Sequence, residues 1–157
     1  MFIEDSEFLR MVSSVPLVSI DLIVRDGNGG VLLGLRKNEP AAGYWFTPGG
    51  RILKDESLAT AFRRIAADEL GAEVDIGDAA FIGVFEHHHQ SNFRRVPGIS
   101  THYIVLAFEW RVDRALMDLP LMQHDRYRWF GPAEIDAESA VHPYVRDYFL
   151  KQKGSRP

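Results

Sequence analysis

"GRILKDESLATAFRRIAADELGA", residues 50–72, is the stretch on which the fold turns. Its apolar residues Leu58, Phe62 and Ile65 recur at helical spacing, with a start at Asp55 or Ser57 and a stop at Gly71, a suitable C-cap. At about 100° per residue, Glu69 lies within roughly 20° of Leu58 and Phe62, and about 40° from Ile65. It therefore points into the apolar side of its own helix. A carboxylate there is paired or binds a metal, because an unpaired buried charge is costly. Arg64 sits about 140° round the helix and is a poor partner for it. Two readings stand: Glu69 is a metal ligand, or a basic group elsewhere in the fold satisfies it. Ile65 holds the side near Glu69 that a second acid would use, and an isoleucine offers no oxygen to a hard cation. Asp68, about 100° from Glu69, either assists a metal from its periphery or is a solvated surface acid, and the second is the plainer reading.

Around this helix the pattern alternates between strand and helix. "DSEFLRMVSS" (5–14) has helical spacing of Phe8, Met11 and Val12 behind an Asp5 cap. "PLVSIDLIVRDGNGGVLLGLR" (16–36) is two β-rich runs around "DGNGG", a hairpin signal. "NEPAAGYWFTPGG" (38–50) reads as a loop by its glycines and prolines. "AAFIGVFEH" (79–87) and "THYIVLAFEWRV" (101–112) read as strands separated by the polar loop "HHQSNFRRVPGIS" (88–100). "RYRWF" (126–130) is a short strand, and "HPYVRDYFL" (142–150) a closing amphipathic helix. Strands mixed with three helices predict an α+β fold, a layered α/β/α sandwich.

The bounds are those of an ordinary soluble chain. A length of 157 residues suits one domain, 1–157, with no linker-like stretch or repeat. The chain is 46% hydrophobic and 25% charged, with a net charge of −4. Its basic residues are scattered, so neither nucleic acid nor anionic lipid has a footprint. Without cysteine there is no disulfide framework and no thiolate zinc site. The acidic start "MFIEDSEFLR" and the lack of a long apolar run make a cytoplasmic location, away from any membrane, the expectation.

Gly50, Glu56, Arg64, Glu69 and Gly71 fall at the intervals of the Nudix hydrolase signature, with "PGG" immediately upstream. Where that signature carries a glutamate after the arginine, this chain has Ile65, and the next expected glutamate is Asp68. "PLVSIDLIV", "GYWFTPGGRILKDE", "STHYIVLAF" and "QHDRYRWF" together resemble the GDP-mannose mannosyl hydrolases, a divergent Nudix branch. The resemblance runs from about Phe2 to the final helix, and the branch also lacks the acid after the arginine. It matches least over His87 to Ser100.

Carried over residue by residue, the resemblance implies a Nudix-type α/β/α sandwich with a mixed sheet and one magnesium ion per active site. The ion would be held by the Gly49 carbonyl, Glu69 and Gln123, a hard-oxygen set. His124 is the implied general base, since an imidazole near neutral pKa suits water activation. Arg36 and Arg51 look like diphosphate clamps, because guanidinium donors match phosphate oxygens in pairs; without the motif they would read as surface charge. Arg64 is implied to orient neighbouring acids. Asp21, in an apolar strand, resembles a family active-site acid, and Tyr103 a phosphate-side donor; either also reads as a polar residue satisfied at a strand edge. Phe2, Ile3 and Phe8 correspond to positions that hold the nucleotide base, with helix packing an equal reading for Phe8. Segment 1–15 would thereby serve nucleotide binding and dimerisation, as family members are homodimers.

"HHH" at His87 to His89 tempts a zinc reading. Adjacent strand side chains point to opposite faces, so three do not easily converge, and we expect loop and strand-end residues with His87 as a sugar contact. The implied reaction is hydrolysis of GDP-mannose, with GDP-glucose a second substrate, to GDP and sugar by inverting water attack at the anomeric carbon. Two alternatives are an ordinary Nudix pyrophosphohydrolase that recruits Asp68, and a non-catalytic module that binds a nucleotide sugar.

Overall fold

The computed structural model of the chain describes residues 2–114 and 124–154, with the side chains of 124–126 and 151–154 outside that description. In chain order the elements are α1 (Asp5–Ser14), β1 (Leu17–Arg25), β2 (Val31–Arg36), β3 (Trp45–Phe46), β4 (Gly49–Arg51), α2 (Leu58–Leu70), a 3-10 turn (Ile76–Asp78), β5 (Ala80–His89), β6 (Thr101–Arg111), β7 (His124–Phe130), α3 (Pro132–Ala137) and α4 (Pro143–Gly154). One mixed sheet runs β3-β2-β1-β6-β5, with β4 pairing to β1 and β7 to β2. β1 and β6 are parallel from Leu17 opposite Tyr103 to Arg25 opposite Arg111, and the other pairings are antiparallel.

The two faces of β1 explain the layers. Ile20, Leu22 and Val24 pack with Phe62, Ile65, Ala66 and Leu70 of α2. Ile23, two residues from Asp21, belongs to the opposite cluster with Ile135 of α3 and Val145 and Tyr148 of α4. A strand sends alternate side chains to opposite faces, so Asp21 is committed to the α4 side by parity. The result is the expected α/β/α sandwich.

α2 begins at Ser57, whose side chain accepts from the Thr60 N–H at 3.1 Å, and ends at Gly71 in a left-handed conformation with φ 64°. Glycine suits that cap because it has no Cβ to clash there. Ser57, not Asp55, is thus the cap. The expected Asp5 cap is corrected too: Asp5 lies inside α1, Glu4 precedes the helix without a side-chain cap bond, and Asp5 is bound by Arg94 at 2.8 Å. There are four helices among the described residues, not three; α3 behind "GP" is too short to show a period in sequence. Within the expected loop 38–50 the chain forms β3 and starts β4, and β5 runs on through all three of His87 to His89. Leu58, expected on the apolar stripe, is exposed, whereas Phe62 and Ile65 are buried.

Candidate active site

A cavity of about 90 Å³ opens where β1, β4, β5 and β6 come together, and its polar wall is drawn from distant parts of the chain. β1 supplies Ser19 and Asp21, the end of β2 Arg36, the turn after β3 Thr47, and β4 Gly49 and Arg51. β5 supplies His87 and His89, and β6 supplies Tyr103. Antiparallel register sets His87 opposite Tyr103, and parallel register sets Leu17 opposite Tyr103, so β6 joins the two sides of the wall.

Asp21 is the buried acid of this cavity. Its Oδ2 accepts from Thr47 Oγ1 at 3.0 Å and from the hydroxyl of Tyr148. Burial pushes its pKa up to about 6, opposed by those two hydrogen bonds and by Arg36, and reinforced by the charge of Glu69. Its Oδ1 lies against Gly49: a Cβ built there would stand 2.5 Å from that oxygen and 2.6 Å from the Ile20 carbonyl. Only glycine lets the backbone pass so close to the acid.

Arg36, whose charge Asp21 feels, and Arg51 line the same cavity. Among the described residues neither Arg36 nor Arg51 forms a salt bridge; Arg36 Nε donates to the Pro40 carbonyl at 2.8 Å. The Arg51 guanidinium lies 4.4 Å over the Phe8 ring, which packs 5.0 Å from Phe93. Such a cation–π contact orients a guanidinium while leaving its N–H donors available. Two positive groups at one cavity wall suit a polyanion.

Arg64 acts behind the wall. It donates through Nε and Nη2 to Glu56 at 2.6 and 2.9 Å and through Nη2 to the Arg51 carbonyl at 2.9 Å. This pairing holds Glu56 down to about 2, far below the usual carboxylate range. Asp68 is 55% exposed and 3.7 Å from Arg64, a solvated acid rather than a wall residue. Glu69 does face inward as its helical angle requires, with 4% exposure, and Tyr127 donates to its backbone carbonyl at 2.8 Å. One turn earlier Ile65 is 1% exposed and packs under Gly50, where a Cβ would meet it at 3.0 Å.

A family model for the NUDIX domain matches residues 15–151. The chain belongs to the Nudix family. It is 43% identical over 147 residues to the low-salt glycan biosynthesis protein Agl8 of Haloferax volcanii, across 93% of this chain and 88% of that protein. Its fold is similar to that of a MutT protein from Methanosarcina mazei, with TM-score 0.70 at 23% identity over 91% of this chain and 99% of that one. It is also similar to the NUDIX domain of Shewanella oneidensis NrtR, solved in complex with ADP ribose, with TM-score 0.67 at 15% identity over 98% and 100% of the two chains. Nudix hydrolases act on nucleotide derivatives and generally use divalent metal ions.

In this Nudix chain the donors fit a hard cation. A glycine backbone forced against Asp21 and a buried Glu69 whose charge is felt by Asp21 offer oxygen alone. Of the residues singled out in sequence, Asp21, Arg36, Gly49, Arg51, His87 and Tyr103 share the cavity wall. Arg64 and Phe8 support that wall from outside it, Ile3 is half-buried, and Phe2 is 84% exposed. Gln123 lies outside the described residues. His124 enters as backbone, opposite Arg36 in the β2–β7 ladder, and its side chain lies outside the description.

The histidine run divides as strand alternation demands. His87 and His89 reach the cavity, while His88 turns away and stacks on His102 at 4.3 Å. The His87 and His89 rings are 6.2 Å apart, and His142 lies 5.5 Å from His89. Burial, with neighbouring histidines, pushes His87 down to about 3 and His89 to about 4, so both are neutral imidazoles. Thr47, Tyr148 and His142 were not singled out in sequence, and His89 was expected only as a loop or strand-end residue. The one available signal was Tyr144 and Tyr148, four apart on an amphipathic helix and therefore on one face.

Proposed function

We propose that this Nudix protein hydrolyses a nucleoside diphosphate sugar, GDP-mannose foremost and GDP-glucose second, to the nucleoside diphosphate and free sugar. The observation that carries the reading is Ile65. It is buried under Gly50 in the helix that positions Glu69, so this face presents one carboxylate where an ordinary signature would present two. Attack of water on phosphorus wants several acids gathered round the diphosphate. Attack on the anomeric carbon does not.

In this reaction the oxygen of water bonds to the anomeric carbon as the bond from that carbon to the bridging β-phosphate oxygen breaks. The bonding pair leaves with the nucleoside diphosphate, and His124 takes the water's proton. Arg36 and Arg51, which form no salt bridge among the described residues, neutralise the charge that grows on the departing phosphate. Tyr103 donates to the diphosphate, and His87 meets the sugar. The Gly49 carbonyl, Glu69 and Gln123 would hold one magnesium, which when bound supplies Lewis-acid stabilisation of the same leaving group. Phe2, Ile3 and Phe8 would serve the base, within one domain spanning 1–157 that acts as a cytoplasmic homodimer. Similarity to a glycan biosynthesis protein supports a sugar-nucleotide substrate.

Hydrolysis of GDP-mannose in ¹⁸O-water tests this. The label is expected in mannose, first released as the β-anomer by single inversion, and absent from GDP. Release of GMP and mannose 1-phosphate with label on phosphorus would refute carbon attack and promote the pyrophosphohydrolase reading.

A further inference from the structure

The helix α4 reaches the site through one hydroxyl that stands between an acid and an imidazole. Tyr148 is fully buried, and its OH lies within bonding distance of Asp21 Oδ2 and, at 3.3 Å, of His87 Nε2, with the Thr47 side chain also in hydrogen-bonding reach. The Tyr148 hydroxyl donates to Asp21 Oδ2. A phenol has one hydrogen. Toward His87 it has only a lone pair left, and the ring must donate from Nε2.

The ring has little freedom to escape this. His87 is stacked on Tyr144 with centroids 4.3 Å apart and planes within 2°. Phe46 meets it edge-on at 5.7 Å, and Tyr144 and Tyr148 come from one face of α4. Tyr144 OH also bonds both the N–H and the carbonyl of His88, at 2.9 Å each, which fixes α4 along β5. A neutral imidazole carries one N–H, so a donor at Nε2 leaves a bare lone pair at Nδ1.

We infer that Tyr148 is a positioning residue: it holds His87 in the Nε2–H tautomer and so leaves Nδ1 as an uncharged acceptor on a ring that lines the cavity. The partner suited to that acceptor is a hydroxyl, and its assignment to the substrate's sugar rests on the proposed function. The low pKa of His87 is consistent with a permanently neutral ring.

The test is ¹⁵N–¹H correlation of histidine side chains at about pH 8, where an imidazole of ordinary pKa is neutral, with His87 identified by its loss in His87→Gln. The wild-type pattern decides the tautomer, and should His87→Gln not fold, through-bond correlation of the ring to its own backbone assigns His87. Expected is a protonated Nε2 and a bare Nδ1; a protonated Nδ1 would overturn the inference. Tyr148→Phe should yield a mixture of tautomers. An unchanged pattern in Tyr148→Phe would also overturn it. With GDP-mannose, KM in Tyr148→Phe should rise by the inverse of the fraction of His87 left in the Nε2–H form, about twofold for an even mixture, with inhibition by GDP unchanged. A weakening of GDP to the same extent would mean a general collapse of the site and defeat the positioning role. If GDP-mannose is not turned over while the tautomer behaves as stated, the proposed function fails and the role of Tyr148 stands.

Discussion

Glu56→Gln isolates the support beneath the arginine wall. The native carboxylate accepts two bonds from Arg64 and one from the Leu53 N–H at 2.9 Å, and its side chain is 14% exposed. Its pKa falls from the ordinary 4.5 to about 2, chiefly through Arg64. At about 1.4 kcal/mol for each tenfold change in proton affinity, that fall corresponds to roughly 3 kcal/mol. Arg64 keeps 32% of its side chain in water, and screening there brings the expected contribution to about 2 kcal/mol. The folded pKa is the lower one, so the stabilisation is fully present above about 4.5 and disappears as pH falls toward about 2. Urea unfolding at neutral pH should therefore show the variant less stable by about 2 kcal/mol, and the gap should narrow steadily through the window from 4.5 to about 2. Because Arg64 also holds the Arg51 carbonyl, turnover should fall along with stability. A gap under about 0.5 kcal/mol at neutral pH, within the range of an ordinary surface substitution, would refute the reasoning. So would a gap that does not change with pH.

Three further outcomes are expected. Glu69→Gln should lose most activity and weaken metal binding, while the exposed Asp68→Asn does much less; a metal titration showing two tightly held ions per site, both needed for turnover, would count against a sole ligand acid. His124→Gln should lower turnover by about 10²–10⁴-fold while substrate still binds, as equilibrium binding and single-turnover rates would show. Gly49→Ala places a methyl 2.5 Å from Asp21 Oδ1 and should lose both stability and activity in thermal and turnover assays. Gly77→Ala, which opens onto empty space, should leave both essentially intact.

The parts of this molecule that depend on near neighbours were legible from residue order. A 3.6-residue period and a glycine stop define α2 and turn Glu69 inward, and alternation in β1 marks Asp21 as a polar residue in a buried strand. The hairpin at "DGNGG" is equally local, since Asp26 Oδ1 accepts from Asn28 and Gly30 within the turn itself. What Arg64 does was not legible from its own helix: its partner Glu56 precedes the helix and closes back on it from the β4–α2 connection. Nor could alternation name the partner of Asp21, because Tyr148 is 127 residues away and reaches it only when α4 packs on the sheet. His87 met Tyr103 through antiparallel register, and Asp21 came level with Ala107 through parallel register, neither of which a hydrophobic pattern encodes. The Nudix signature thus names a helix and its acids from sequence alone. The cavity is decided by tertiary structure, because its wall is assembled from strands whose order in the sheet differs from their order in the chain.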